Sequence, residues 1–326
     1  MNIDIDKLWY SKNILSIFLW PLSWLFRFAV FIRRTYYQLF RSRAGLEHVK
    51  IIIVGNITVG GAGKTPFVAY LARLFQENEF KVGIVARGYG RTNENNLIEV
   101  LNDSDASEVG DEALMLKQQV SCPVAVAAER HHVANYLCEK YHLDVIISDD
   151  GLQHYKLPRD YEIVIVDGER EFGNDYCLPA GPLREPISRL NHVDLVISNG
   201  ENGAYEYQYK IRYSKVLSLN NSAEAVTLEQ FADGKVHAVA GIGHPNRFFK
   251  ILENAGIRVI PHAFPDHHAY SQSDITFNDD LPVIMTVKDV VKCKKFNVEN
   301  VWYLPITIEP NESLEKHIKE LIEGMN

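Results

Sequence analysis

Lys50-Ile51-Ile52-Ile53-Val54-Gly55-Asn56-Ile57-Thr58-Val59-Gly60-Gly61-Ala62-Gly63-Lys64-Thr65-Pro66 decides the fold. Its apolar run Lys50–Val54 predicts a strand, its glycines a loop, and the stretch that follows, Phe67–Phe75, a helix. The strict pattern G-x-x-x-x-G-K-[ST] fails at one position, because Thr58 stands where its first glycine would be. The chemistry survives that departure. Gly60, Gly61, Ala62 and Gly63 let backbone N–H groups curl around an anion, and the helix start adds its dipole. Lys64 supplies a point charge, and the Thr65 hydroxyl can ligate Mg²⁺. A nucleotide phosphate is the ligand this loop predicts.

A loop of this kind needs a second metal group at the end of a neighbouring strand. Leu143-Asp144-Val145-Ile146-Ile147-Ser148-Asp149-Asp150 offers Asp149 and Asp150. Two adjacent carboxylates ending a buried strand are costly without a cation; the alternative for either one is capping a helix or turn. Further strand-type runs alternate with helical stretches at Val82–Ala86, Val124–Ala127, Glu162–Val166 and Asp194–Ser198. Such alternation implies βαβ units and a parallel sheet covered on both faces. The rhythm breaks in a Gly/Asn-rich turn at 199–204, and the alternating tyrosines of Tyr205–Leu219 predict an antiparallel ribbon. Val236–Ala240, Ile257–Ile260, Val283–Thr286 and Val301–Leu304 read as a second set of strands.

The 326 residues carry a net charge of −8 with 46% hydrophobic residues, which excludes disordered and collagen-like classes and allows about two domains. An acidic chain is a poor match for sequence-independent nucleic-acid binding, so no nucleic-acid partner is expected. Cys122, Cys138, Cys177 and Cys293 are widely spaced and form no C-x-x-C pair, which disfavours a disulfide scaffold or structural zinc. The charge is uneven: residues 1–50 hold eight Lys and Arg against three acids (Asp4, Asp6, Glu47). That basic charge adjoins the most apolar stretch, Ile14–Ile32, where only Ser16, Pro21, Ser23 and Arg27 interrupt aliphatic and aromatic residues. A central arginine and a proline disfavour a bilayer-spanning helix. A helix lying in the headgroup region fits better, with Trp20, Trp24, Phe26, Phe28 and Phe31 in the acyl boundary and Arg27, Arg33, Arg34, Arg41 and Arg43 on anionic lipid. Docking on the protein's own core is the alternative.

The expected fold is therefore α/β: a P-loop NTPase-type doubly wound, mostly parallel sheet with a second, smaller α/β lobe and an N-terminal membrane-associated helix. The expected divisions are 1–45 for the membrane-associated segment, 46–204 for the nucleotide-binding domain and 205–326 for the C-terminal lobe.

Other polar concentrations have two readings each. Arg87-Gly88-Tyr89-Gly90-Arg91 follows the second strand, where ligands of doubly wound sheets bind, or is a glycine turn with solvated arginines. Asp111 and Glu112 open an apolar-periodic stretch and can simply complement a helix N-terminus. In Glu129-Arg130-His131-His132, Arg130 is the anion contact to expect; in the rigid loop Pro179–Pro186, Arg184 is. Phe264-Pro265-Asp266-His267-His268-Ala269-Tyr270 has the residues for metal binding or general acid/base work, although by composition alone a surface His pair fits better. Thr286-Val287-Lys288-Asp289 is a weak match to the guanine-reading element of GTPases, with the lysine displaced by one residue.

Taken together, Val54–Pro66, Ala86–Arg91, Gly110-Asp111-Glu112, Ser148-Asp149-Asp150-Gly151-Leu152-Gln153-His154-Tyr155, Leu178–Pro186 and Phe264–Tyr270 resemble the tetraacyldisaccharide 4'-kinase (lipid A 4'-kinase) family. The resemblance runs in family order over nearly the whole chain. It implies a kinase that moves the γ-phosphoryl of MgATP to the 4'-hydroxyl of an acylated glucosamine disaccharide 1-phosphate, with ATP and Mg²⁺ as cofactors. It implies Asp111 and His267 acting together at the acceptor hydroxyl, and Lys64 as catalytic charge. Thr58, Gly60, Gly61, Ala62, Gly63, Lys64, Thr65, Arg87, Tyr89, Arg130 and Arg184 are expected around the nucleotide and its phosphates, and Thr65, Asp149, Asp150 and Glu112 around the metal. It further implies a place on the cytoplasmic face of the inner membrane, with the lipid substrate and an anionic membrane surface as partners. Two other readings predict different outcomes. A P-loop GTPase of the metal-insertion or transport class would prefer GTP and use no lipid acceptor, and a membrane-recruited ATP-binding scaffold would tolerate loss of Asp111 and His267.

Overall fold

The computed structural model describes residues 8–93, 96–200, 204–213, 215–220, 224–296 and 298–325. Asp4 and Asp6, and residues 201–203 of the expected Gly/Asn-rich turn, lie outside the described residues. Eight of the strands are β1 (Lys50–Gly55), β2 (Val82–Ala86), β3 (Ile98–Val100), β4 (Val124–Val126), β5 (Val145–Asp149), β6 (Tyr161–Asp167), β7 (Leu195–Asn199) and β8 (Tyr207–Arg212). After them come β9 (Val216–Ser218), β10 (Ala225–Val226), β11 (Lys235–Ala240), β12 (Arg258–Ala263), β13 (Val283–Thr286), β14 (Val301–Leu304) and β15 (Thr307–Pro310). The helices are α1 (Ile14–Phe40), α2 (Lys64–Glu77), α3 (Ala106–Val109), α4 (Asp111–Lys117), α5 (Arg130–Tyr141), α6 (Pro245–Asn254), α7 (Val287–Cys293) and α8 (Glu312–Glu323).

One sheet has the order β15-β8-β7-β6-β1-β5-β2-β4-β3 and the other β10-β9-β14-β13-β11-β12. In the larger sheet every pairing from β8 to β4 is parallel; the two edges, β15 and β3, are antiparallel. Residues of β1, β2, β5 and β6 are buried almost throughout, as parallel strands covered on both faces require. The α2 helix buries Phe67, Leu71 and Phe75 against one face, and α5 buries Val133, Ala134 and Leu137 against the other. The switch in strand order at β1, between β5 and β6, puts the loops after β1 and β5 side by side, where a doubly wound sheet binds its ligand.

Strand pairing departs from the expected ribbon at Tyr205–Leu219 and from the expected division at 204/205. β8 joins the larger sheet beside β7, while β9 joins the smaller sheet beside β14. The cause is burial: Tyr209 on β8 is fully enclosed and stacks on Phe67 at 5.7 Å, so this strand belongs to the core under the phosphate loop. β15 then returns to pair with β8, and α8 places Leu314, Ile318 and Ile322 in the same core. The six-stranded lobe is thus an insertion in the chain of the nine-stranded one.

The α1 helix is inverted relative to an ordinary surface helix. Its buried residues are Ser16 and Ser23, and the Ser23 hydroxyl donates to the Cys177 carbonyl at 2.7 Å while accepting from the Ala180 N–H at 3.2 Å. Its outward face is apolar, with Phe18 77%, Leu25 65%, Phe28 62% and Phe31 64% exposed. Asn13 caps its start through the Ser16 N–H. An exposed apolar face of this extent marks an interaction surface rather than a solvated one.

Candidate active site

The phosphate loop is held open by side chains from both directions. Gly60 and Gly63 have φ of +105° and +81°, where a side chain would be strained, and a Cβ on Gly63 would meet Asn199 and Tyr209. Asn199 donates to the Ala62 carbonyl at 3.1 Å and the Tyr209 hydroxyl to the Gly63 carbonyl at 2.7 Å. On the other side the Asn56 amide donates to the Thr58 hydroxyl, Val59 N–H donates to the Pro182 carbonyl, and Arg184 N–H donates to the Ile57 carbonyl. The rigid loop 179–186 is therefore strapped to the phosphate loop, and Gln153 completes the strap by donating to the Asn56 carbonyl and to Glu185. With these loop carbonyls tied back, the N–H groups from Gly60 onward are left to face an anion.

At the end of β5 the two aspartates have opposite environments. Asp149 is buried and accepts from the Thr65 hydroxyl at 3.1 Å, while its other oxygen, Oδ1, has no hydrogen-bond partner. Burial, reinforced by Glu112, pushes its pKa up to about 6. Asp150 takes Lys64 at 3.4 Å and Arg184 at 3.0 Å. Burial alone would raise its pKa, but Lys64, Arg184 and Arg130 outweigh that and hold it well below the usual carboxylate range. Arg130 is buried and donates to the Asp150 carbonyl at 2.7 Å. The residues fit Mg²⁺: a hydroxyl beside a buried carboxylate whose second oxygen is orphaned is an incomplete oxygen site. No cluster of three or more His, Cys, Asp or Glu forms a protein-only metal cage among the described residues. Phosphate oxygens and water would complete such a site.

The third element spans the two lobes. Asp111, the first residue of α4, is buried with both carboxylate oxygens 3.0 Å from His267 Nδ1. Lys292 on α7 lies 3.7 Å from the same carboxylate, and Lys288 bridges Glu112 at 3.1 Å and Asp266 at 3.0 Å. Burial would raise the Asp111 pKa, yet the His267 hydrogen bond and the lysine charges bring it below its ordinary value. The hydrogen bond His267 donates to Asp111 correspondingly raises the His267 pKa. Tyr89 is exposed, with its ring 5.3 Å from the His267 ring, and Arg87 is also exposed on the same loop.

The expected site residues thus fall into three neighbouring groups. Thr58 to Thr65 surround the phosphate loop, Asp149, Asp150, Arg130 and Arg184 stand beside it, and Asp111, Glu112, Tyr89 and His267 meet at the lobe junction. His268 takes no part in the dyad; it lies 3.4 Å from Asp274 and stacks on Phe264. Within the Thr286–Asp289 segment, Thr286 and Asp289 are structural while Lys288 faces the dyad: Thr286 caps α7, and the fully buried Asp289 accepts from the Gly241 N–H and the Thr286 hydroxyl. Asn199, Tyr209, Gln153, Lys288 and Lys292 escaped sequence reasoning. Of these only Gln153 and Lys288 sit inside segments whose pattern signals function.

The chain matches, over residues 15–323, the family model described as Tetraacyldisaccharide-1-P 4'-kinase. It is 45% identical to the tetraacyldisaccharide 4'-kinase of Hahella chejuensis over 324 residues, covering 96% of this chain and 95% of that protein. It is 41% identical to the protein of that name from Coxiella burnetii, covering 99% and 96%. Among solved structures, that of LpxK from Aquifex aeolicus in complex with ATP superposes with a TM-score of 0.79 at 29% identity, covering 96% of this chain and 99% of that one. On its sequence and its fold alike, this chain belongs to the tetraacyldisaccharide-1-P 4'-kinase family.

Proposed function

We propose that this protein is a lipid A 4'-kinase: it transfers the γ-phosphoryl of MgATP to the 4'-hydroxyl of a tetraacylated glucosamine disaccharide 1-phosphate. The observation that carries the reading is the His267–Asp111 pair at 3.0 Å, one member from each lobe, beside a complete Gly-Lys-Thr loop. A GTPase has no need of a general base assembled across two lobes.

In this reading Asp111 fixes the His267 tautomer by accepting at Nδ1, which leaves Nε2 to take the proton of the attacking hydroxyl. Lys64, Arg130 and Arg184 concentrate positive charge where the transferring phosphoryl becomes most negative. Tyr209 and Asn199 keep the loop in its anion-binding shape before the nucleotide arrives. Thr65 and Asp149 would hold Mg²⁺, which supplies charge neutralisation at the phosphates when bound. Lys288 and Lys292 join the lobes at the dyad, so the base is complete only when the lobes are closed. The nine-stranded lobe is the nucleotide-binding unit and the six-stranded lobe supplies His267.

The substrate's acyl chains keep it in a bilayer, at about 0.8 kcal/mol for each buried CH₂, so the enzyme associates with the membrane. The inverted face of α1 supports a helix lying in the membrane interface, and the need for ATP places it on the cytoplasmic side in this reading. The test is direct: incubate the protein with γ-labelled ATP or GTP and the acylated disaccharide 1-phosphate, and follow the label. Transfer from ATP to the lipid is expected, and is expected to fail for His267→Ala. Hydrolysis without labelled lipid would refute the assignment.

A further inference from the structure

We propose that the crevice between α1 and the body of the protein binds the phosphate-bearing headgroup of an anionic membrane lipid, at a place separate from the phosphate loop. The crevice has a volume of about 340 Å³; Arg34 and Gln38 of α1 and Arg41, which caps its C-terminus, line it together with Arg159, Glu162 and Arg189 of the body. Arg159 lies two residues before β6 and Glu162 is its second residue, whereas Asp149 and the phosphate loop lie at the other ends of the strands. Seven strand residues at about 3.3 Å each put roughly 20 Å between the two.

The crevice carries cations in excess. Glu162 pairs with Arg159 and Arg189, each at 2.6 Å, and Glu185 lies 3.2 Å from Arg189. These two arginines form a floor that is already neutralised. Arg34 and Arg41 add two more charges, half-buried, with neither an ion pair nor a hydrogen bond among the described residues. Burial and then Arg189 disfavour the charge on Arg34, offset in part by Glu185 and Glu162; burial and then Arg159 disfavour that on Arg41, offset in part by Glu162 and Asp160. Two guanidiniums without a direct ion-pair partner, beside two that are paired, make a site for an anion; the guanidinium fork takes carboxylate or phosphate, and a phosphate has the acceptor oxygens to engage both arginines at once.

The source of that phosphate follows from α1. Arg34 and Arg41 are seven residues apart, two helical turns, and so share one face, with Gln38 between them. Phe31, Leu39 and Phe40 on the same stretch of helix are 64%, 73% and 69% exposed. With that apolar surface in the acyl boundary, the arginines stand at headgroup depth. The step rests on the reading of α1 as an interfacial helix, and sedimentation with phosphatidylcholine vesicles, which needs only the apolar face, tests that reading separately.

The experiment uses the full chain in a neutral detergent and titrates it with dihexanoyl-phosphatidylglycerol, dihexanoyl-phosphatidylcholine or inorganic phosphate, reading thermal stabilisation and affinity. Phosphatidylglycerol is expected to bind and stabilise, and phosphatidylcholine is not. Arg34→Gln/Arg41→Gln should weaken phosphatidylglycerol binding by about thirtyfold, the worth of two arginines at an anionic surface. Lys12→Gln/Arg27→Gln, which removes the same charge from the N-terminal segment away from the crevice, should change it by less than about threefold if the site is built rather than diffuse. Equal losses in the two double variants, or equal binding of both lipids, would overturn the proposal. Inorganic phosphate matching phosphatidylglycerol on the wild-type protein would overturn the lipid assignment in favour of a soluble anion. Should the glutamine variant fail to fold, the wild-type comparison of the three probes decides by itself, and Arg34→Lys/Arg41→Lys, which keeps the charge, should retain most of the binding.

Discussion

Asp149→Asn should make the metal-free protein relatively more stable and the enzyme inactive. Burial, with Glu112 behind it, lifts the Asp149 pKa to about 6 from an ordinary 3.8. A gap of about two units is about 3 kcal/mol of penalty on the ionised form. The folded value lies above the unfolded one. Between the two the folded chain keeps a proton that the unfolded chain has released, so stability falls as pH rises from about 4 to about 6, and the whole penalty is present above about 6. Asparagine does not titrate. Its amide meets a position where Oδ1 has no partner, a pH-independent cost of about 1 to 3 kcal/mol, so the informative quantity is the change in the difference with pH. Thermal unfolding of both proteins without divalent cations, from pH 4 to 8, should show wild type losing up to about 3 kcal/mol relative to the variant. Adding Mg²⁺ with a non-hydrolysable ATP analogue should stabilise wild type and leave the variant nearly unchanged. Acidifying from pH 7.5 to 5 should weaken wild-type Mg²⁺ binding by about tenfold more than in the variant, because a proton must first leave Asp149. Parallel stability curves, or an equal Mg²⁺ response in both proteins, would refute the assignment of Asp149 as the metal ligand.

Asp111→Asn should lower turnover by about 10²- to 10⁴-fold. Because Asp111 raises His267, the acid limb of any residual pH–rate profile should move to lower pH in that variant; an unmoved limb argues against the dyad. Tyr209→Phe keeps the stack on Phe67 but orphans the Gly63 carbonyl, at a cost of about 1 to 3 kcal/mol. The expectation is a higher KM for ATP with little change in the lipid KM, measured by steady-state kinetics. Phe18→Ser/Leu25→Ser/Phe28→Ser should release the protein from zwitterionic vesicles, since each burial is worth about 1.5 to 3 kcal/mol. Sedimentation at unchanged circular dichroism checks it.

What could be read without a structure was whatever the chain encodes locally. The strand, loop and helix at Lys50–Phe75 carry their own signals, and ten apolar runs became strands within a residue or two, with β12 extending three residues further. Asp149 and Asp150 were found as a pair, but nothing in their sequence separates them; that depends on Lys64 and Arg184 reaching one and Thr65 the other. Tyr209 and Asn199 were invisible because their partners, Gly63 and Ala62, lie 146 and 137 residues away. The tyrosine alternation around Tyr209 was read as a ribbon because local pattern does not say which sheet a strand joins. The same limit hid β15, a four-residue edge strand that pairs with β8 alone among the described strands.

The return of β15 and α8 to the larger sheet has a bearing on how the protein is made. A ribosome that has delivered the phosphate loop, both aspartates and His267 has still not delivered Leu314, Ile318 and Ile322, which close the core beneath α2. The nucleotide lobe therefore cannot complete its core until the inserted lobe has been synthesised, while α1 emerges long before either. A nascent chain can therefore present α1 to the bilayer before the core beneath its phosphate loop is complete.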